Sequence, residues 1–286
     1  QAQEEMDALY AIFTREIEAH KMVEKLVNYL PNYLAHTKEN NQQLQNEMER
    51  LSHSFVLSEP EISHIRDLKS ELSAQEEVVL TALEDAAEMK KPFSLVKEEL
   101  ESIQARLREI EDEQVELGEQ LDKIEKDDAN ARQKVTIYAN KLHTIKRFME
   151  KRNLPGIPES FLTIFFGASD YIEELARELE APRVNIDSVN RWLEILANAM
   201  NDLEEETYRI VQNSTLTEQL LQYSNRYRSF DDNVQAAFNE SLHAFEVEFD
   251  YAKSLEIISK ALDVVEPGVS ARFINSYEKT RENIRF

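Results

Sequence analysis

Residues 93–149 read FSLVKEELESIQARLREIEDEQVELGEQLDKIEKDDANARQKVTIYANKLHTIKRFM. Core positions step alternately by three and four residues without a slip of phase: Phe93, Val96, Leu100, Ile103, Leu107, Ile110, Gln114, Leu117, Leu121, Ile124, Asp128, Ala131, Val135, Tyr138, Leu142, Ile145 and Met149. A seam repeating every seven residues marks a helix packed lengthwise on other helices, and at about 1.5 Å of rise per residue it predicts a helix about 85 Å long. Such an element spans or braces; it cannot wrap a catalytic pocket. The two polar rungs, Gln114 and Asp128, cost stability but penalise misaligned partners, so they read as register markers.

The same three-four stepping extends on both sides. Met6, Leu9, Phe13, His20, Val23, Val27, Leu30, Leu34, Leu44, Met48, Leu51 and Phe55 keep one register through Pro31, where a kink is predicted because proline removes a helical hydrogen bond. Ser58-Glu59-Pro60-Glu61 is a helix start, with serine as cap, an early proline and acids in the first turn. It predicts a helix over about 61–89 carrying Ile62, Ile65, Leu72, Val79, Leu83 and Ala86, ended by Lys90-Lys91-Pro92. Links this short make neighbouring helices antiparallel.

Beyond the long ladder, Asn153-Leu154-Pro155-Gly156-Ile157-Pro158 is the strongest break in the chain. A short helix over about 169–179 follows, ended by Ala181-Pro182. The next ladder is Val189, Leu193, Leu196, Met200, Leu203, Thr207, Ile210, Ser214, Thr217 and Leu221. Its polar end predicts a place where the bundle opens or meets something else. Short helices are predicted over about 233–249, 251–265 and 269–284. There Ala236, Ala237, Leu242, Ala244, Phe245, Tyr251, Ala252, Leu255, Ala261, Leu262 and Pro267 follow the pattern of a tetratricopeptide helix pair, small residues permitting close approach.

The predicted fold is therefore all-α: an elongated rod of serial, spectrin-like antiparallel helical bundles and coiled coils. Residues 1–153 form one three-helix bundle whose long helix covers 93–152, residues 154–230 a second bundle, and residues 231–286 a tetratricopeptide-like cap. Two faint matches, Val27-Asn28-Tyr29-Leu30-Pro31 with the region ending Asn153-Leu154-Pro155 and Leu57-Ser58-Glu59 with Leu216-Thr217-Glu218, suggest a duplicated helical module.

Composition narrows the function. With 33 basic against 56 acidic residues the formal charge is -23, so the chain gains nothing from counterion release on nucleic acid and is repelled by anionic lipid headgroups. Cysteine is absent, which excludes disulfides and thiolate metal sites and suits a reducing compartment. No stretch approaches the roughly 20 apolar residues of a membrane span; the longest apolar run lies near Phe161 to Ala168. Because the first residue is Gln1, an upstream piece, with any membrane anchor, is expected to lie outside this sequence.

No catalytic residues, cofactor or metal site emerge. Gly118, Gly156, Gly167 and Gly268 never cluster into a phosphate loop. His20, His36, His53, His64, His143 and His243 lack ligand pairing on one helix face, and Glu61 with His64 has no second copy to complete a di-iron site. His20 reads as a core-edge residue and Trp192 as core.

One segment stands apart. Gln222-Tyr223-Ser224-Asn225-Arg226-Tyr227-Arg228 concentrates two arginines, two tyrosines and two amides in an acidic chain. Tyr and Arg are favoured interface anchors. The plainer account has the tyrosines packing inward and the arginines pairing with acids such as Asp231 and Asp232.

The run Leu220-Leu221-Gln222-Tyr223-Ser224-Asn225-Arg226-Tyr227-Arg228-Ser229, with Asn153 to Pro158 upstream and Val264-Val265-Glu266-Pro267-Gly268 downstream, resembles the carboxy-terminal half of the EzrA family, septation ring formation regulators of Gram-positive bacteria. The resemblance implies a single-pass membrane protein with a cytoplasmic body of spectrin-like repeats, acting at the division septum on the cytoplasmic side of the membrane. It implies binding to the tubulin-like division protein FtsZ, restraint of extra ring assembly, and links to wall-synthesis proteins. It also implies a partner-binding patch at Gln222, Asn225 and Arg226, with Tyr223, Tyr227 and Arg228 beside them, associated with midcell placement. Ser224 departs from the family pattern, where glycine is expected. The other reading is a cytoskeletal or trafficking scaffold that dimerises through its heptad seams. The basic residues Arg272, Lys279, Arg281 and Arg285 carry no assignment.

Overall fold

The computed structural model describes residues 2–280, and within them the chain is all-helical. The helices are α1 (Ala2–Ser52), α2 (Glu59–Ala87), α3 (Phe93–Lys151), α4 (Glu159–Leu179), α5 (Ile186–Ser224), α6 (Asp232–His243), α7 (Tyr251–Val265) and α8 (Val269–Thr280), with a π-helical turn at Ala244–Glu248 after α6. Among the described residues the sole β feature is an isolated bridge between Phe55 and Val184. No described helix is long and apolar enough to cross a membrane.

The chain forms two compact units, residues 1–128 with 181–186, and residues 129–180 with 187–286, so α3 contributes to both. In the first unit, α1 and α2 run antiparallel, joined by Lys38 with Glu76 (2.6 Å) and Lys69 with Gln45 (3.2 Å). α3 runs parallel to α1, with the Tyr33 hydroxyl donating to Glu111 at 2.6 Å and Arg50 paired with Glu125 at 2.8 Å. Arg106 on α3 clamps Glu71 on α2 through two hydrogen bonds of 2.5 and 2.8 Å. His64 bonds Glu113 at 2.8 Å, which gives this histidine a plain structural use.

The heptad reading of α3 holds along its length, because each rung is buried or half-buried while the faces between carry charge. Val96, Leu100, Leu107, Ile110, Ala131 and Ile145 have no accessible surface. Gln114 is also buried and donates to the Thr37 carbonyl at 2.9 Å. On α1 the seam becomes polar between Leu34 and Met48, where Thr37, Asn41 and Gln45 are buried; a hydrophobic pattern passes over this layer.

α1 passes through Pro31 as one helix, in keeping with its unbroken register, and Pro31 is exposed. Several other expectations change. Met6, Leu9 and Phe13, expected in the core, are 69%, 54% and 66% exposed, because contacts from α3 begin only near residues 15–20, where His20 meets Phe93 edge-on at 4.5 Å. The helix expected over 169–179 starts ten residues earlier, at Glu159, and takes in the apolar run after Pro158. The polar end of the α5 ladder is shut: Thr207, Ser214 and Thr217 are buried, and the first two turn their hydroxyls onto the Leu203 and Val211 carbonyls. Small hydroxylated side chains can fill a seam once their own helix accepts the proton.

The duplicated-module idea loses its support, since Val27–Pro31 sits inside α1 while 153–155 ends a helix, and 57–59 opens α2 while 216–218 lies inside α5. Trp192 is half-buried against Tyr171, 6.0 Å between centroids. In the second unit α4 is antiparallel to α5, as Ser160 bonds Glu206 and Tyr171 meets Trp192. α6 and α7 approach closely through Ser241 and Ser254, whose hydroxyls lie 2.8 Å apart and each donate to the other's carbonyl, whereas Ala236 and Ala252 are exposed. Arg281 and Arg285, and the end of the last expected helix, lie outside the described residues.

Candidate functional site

Helix α5 ends at Ser224, and the six residues 225–230 turn the chain into α6. This turn is well tied. Ser224 is fully buried, its hydroxyl donates to Leu221 O at 2.7 Å, and its carbonyl accepts from Tyr227 N at 2.9 Å and Arg228 N at 3.1 Å. The Asp231 carboxylate accepts from the amides of Asn233 and Val234 and so caps α6. A serine is accommodated at 224 because helical backbone needs no glycine there.

The six residues singled out in the sequence divide into two sets. Tyr223, Tyr227 and Arg228 are half-buried, the tyrosines packing on a core of Leu220, Leu221, Val234, Ile258, Leu262 and Val269. Gln222, Asn225 and Arg226 are exposed. The tyrosines therefore face inward, as the plainer account held, but the arginines do not pair with Asp231 and Asp232. Arg226 lies over the Tyr223 ring at 4.5 Å and Arg228 over the Phe238 ring at 4.5 Å. Stacking holds a guanidinium flat while leaving its N–H edge free for a partner. Among the described residues Arg226 makes no ion pair or side-chain hydrogen bond.

Behind the exposed set stands a residue that sequence reasoning did not assign. One oxygen of Glu266, just past α7, accepts from both the Tyr223 hydroxyl (2.5 Å) and the Tyr227 hydroxyl (2.7 Å). Its other oxygen pairs with Arg272 of α8 at 2.9 Å, and Arg272 also donates to the Tyr223 oxygen at 3.1 Å. Hydrogen bonds from Tyr223 and then Tyr227, with Arg272, hold the Glu266 carboxyl below its ordinary range. The bond to Glu266 pushes the Tyr227 phenol up to about 12, and Arg272 is raised by Tyr223 and Glu266. Glu266 belongs to the downstream landmark 264–268, so two landmarks meet here; their shared membership of one pattern was the one signal available in the sequence.

Four rings form a strip through the same place. Phe273 meets Tyr223 at 5.3 Å, Tyr223 meets Tyr227 at 6.1 Å, and Tyr227 meets Phe230 at 6.0 Å. The strip begins half-buried at Phe273 and ends in solvent at Phe230, which is 73% exposed.

The third landmark is held elsewhere in the second unit. Tyr251 donates to Gly156 O at 2.7 Å, and a Cβ on Gly156 would stand 2.5 Å from the Phe249 ring, so only glycine fits. Phe249 itself takes a left-handed backbone, φ 53°. A cleft of about 280 Å³ adjoins these residues, but its buried acid, Glu206, is already engaged by Ser160 (2.7 Å) and Arg209. Among the described residues no group of three or more His, Asp or Glu side chains is arranged to hold a metal.

Comparison with known proteins adds a second line. The family model described as "Septation ring formation regulator, EzrA" matches residues 1–277. Proteins named septation ring formation regulator EzrA from Streptococcus sanguinis (strain SK36), Streptococcus gordonii (strain Challis) and Streptococcus pneumoniae (strain Hungary19A-6) are 75%, 66% and 56% identical over 286 residues. Each alignment covers 100% of this chain and 50% of the relative, so the chain spans about half the length of the curated relatives it matches. No solved structure matches.

Proposed function

Because the chain belongs to the EzrA family of septation ring formation regulators, we propose that it is the helical body of a cell-division regulator that docks division proteins, FtsZ foremost, through the exposed face of Gln222, Asn225 and Arg226. The family is one of septation regulators, not of enzymes. In this reading the protein works at the septum, on the cytoplasmic side of the membrane, where it restrains aberrant ring assembly and links the ring to membrane and wall-synthesis proteins. The observation that carries it is the Arg226 guanidinium, stacked in place by Tyr223 yet without an acid partner, beside two exposed amides.

The test uses the full-length protein carrying Asn225→Ala with Arg226→Ala, and FtsZ filaments in co-sedimentation. Helical content and melting temperature are expected to stay within about 2 °C of the parent, since these side chains are exposed, while septal localisation and filament binding are lost. Retained localisation with intact binding sinks the proposal; a collapsed fold would show the two residues to be structural. The scaffold that dimerises through its seams has less support, because the rungs from Val96 to Leu121 are already buried within the chain.

A further inference from the structure

The charge balance of the whole chain and that of its patch point in opposite directions. At -23 the chain repels acidic partners at range, yet the patch presents an unpaired guanidinium as its leading charge. A partner suited to both carries few charges, with one carboxylate placed to meet Arg226. That guanidinium rests over the Tyr223 ring, 4.5 Å from its centroid, and Tyr223 is held in turn by Glu266 and Arg272, so a carboxylate that takes bidentate hydrogen bonds has less of a long flexible side chain to order. Gln222 and Asn225 offer amides of both polarities, which suit the backbone of an extended segment.

The aromatic strip supplies the second anchor. Phe230 is 73% exposed although its amide is held by Tyr227 O at 3.0 Å, so the ring is presented from an ordered turn. Its inner side touches Tyr227 and its outer side is open. Arg226 and Phe230 belong to one turn and rest on the two ends of one ring pair, Arg226 on Tyr223 and Phe230 on Tyr227; an exposed ring and a stacked arginine are together the composition of an interface hot spot.

We propose that Phe230 and Arg226 are the paired anchors of one docking surface, and that its occupant is an extended segment of another protein carrying a single carboxylate next to an apolar side chain. This rests on the reading of the Gln222, Asn225 and Arg226 face given above. It adds Phe230 as an affinity-determining residue.

The experiment compares three full-length variants in dividing cells: Asn225→Ala with Arg226→Ala, Phe230→Ser alone, and a third with p-benzoyl-phenylalanine in place of Phe230 for photocrosslinking. Phe230→Ser should melt within about 2 °C of the parent, as an exposed substitution does, and should reduce septal enrichment by about tenfold, the loss expected for a hot-spot ring. The crosslinked peptide, read by mass spectrometry, should come from a different protein and hold an Asp, a Glu or a chain terminus within about four residues of the adduct, the reach of an extended segment across the patch. If the double variant mislocalises but Phe230→Ser does not, the docking face stands and this inference falls. An adduct on a second copy of this chain, an adduct on a segment without a carboxylate, or no adduct also overturns it. If the double variant itself stays at midcell, the underlying reading falls first.

Discussion

Glu266 shows how one side chain can order a surface it does not belong to. Two phenol donors and one guanidinium converge on its two oxygens, and the ring they position carries Arg226. The arrangement has a signed pH dependence. Glu266 is lowered in the folded state, so its contribution is present above the ordinary carboxyl value of 4.5 and is lost as pH falls through the lower folded value. Tyr227 is raised from 10.0 to about 12, so its contribution is complete below pH 10 and is lost as pH rises toward 12. Tyr227→Phe removes the alkaline part and, by taking one donor from Glu266, reduces the acid part as well. The stability difference between parent and Tyr227→Phe should therefore shrink as melting is followed from pH 10 to about 12; a constant difference would mean the phenol does not titrate against Glu266. Of this cluster, Gln222, Tyr223, Asn225, Arg226, Tyr227 and Arg228 were legible because they are contiguous and atypical in an acidic chain. Glu266, Arg272 and Phe273 were not, because acids and arginines are common here and sequence distance hides the turn that brings α7 and α8 back.

Along each helix, legibility followed the energetics of the seam. Where burial was apolar, as on α3 and in the first half of α5, spacing alone placed the core, since each rung removes one side chain from water at a fixed angular step. Where burial was polar, spacing misled: Thr37, Asn41 and Gln45 on α1, and Thr207, Ser214 and Thr217 on α5, are core residues that a hydrophobic pattern skips or reads as an opening. The layer in the first unit has a measurable cost. Gln114 donates to Thr37 O, which as a helical carbonyl has other means of satisfaction, while among the described residues its own oxygen and the Asn41 side-chain oxygen accept no bond. A buried acceptor left in that state costs about 1–3 kcal/mol, against about 1 kcal/mol returned by the one bond made. Gln114→Leu should accordingly hold or raise stability, by up to about 1 kcal/mol in urea unfolding. A fall of that size or more would show that the amide bond to α1 is worth more than the polar group it leaves unpaired, and would strengthen the register reading of this rung.

At the scale of the whole chain the surplus of acids, 56 against 33 bases, governs the electrostatics. Ion pairs such as Arg15 with Glu98 and Lys260 with Glu256 lie at exposed positions and contribute little. The excess carboxylates, by contrast, repel one another. Raising ionic strength from about 0.01 to about 0.15 M shortens the screening length from about 30 to about 8 Å, which should raise the melting temperature by a few degrees. A fall instead would mean that cross-helix clamps such as Arg106 with Glu71 outweigh the net repulsion. Helical class, the phase of the long seam and the outlying composition of the patch were decided by the sequence itself, because helix periodicity and charge are local properties that each residue carries wherever it goes. Which polar residues enter the core, why Gly156 admits no side chain, and how Glu266 joins two distant landmarks were decided only by the tertiary structure, because each depends on a neighbour that chain folding, not chain order, supplies.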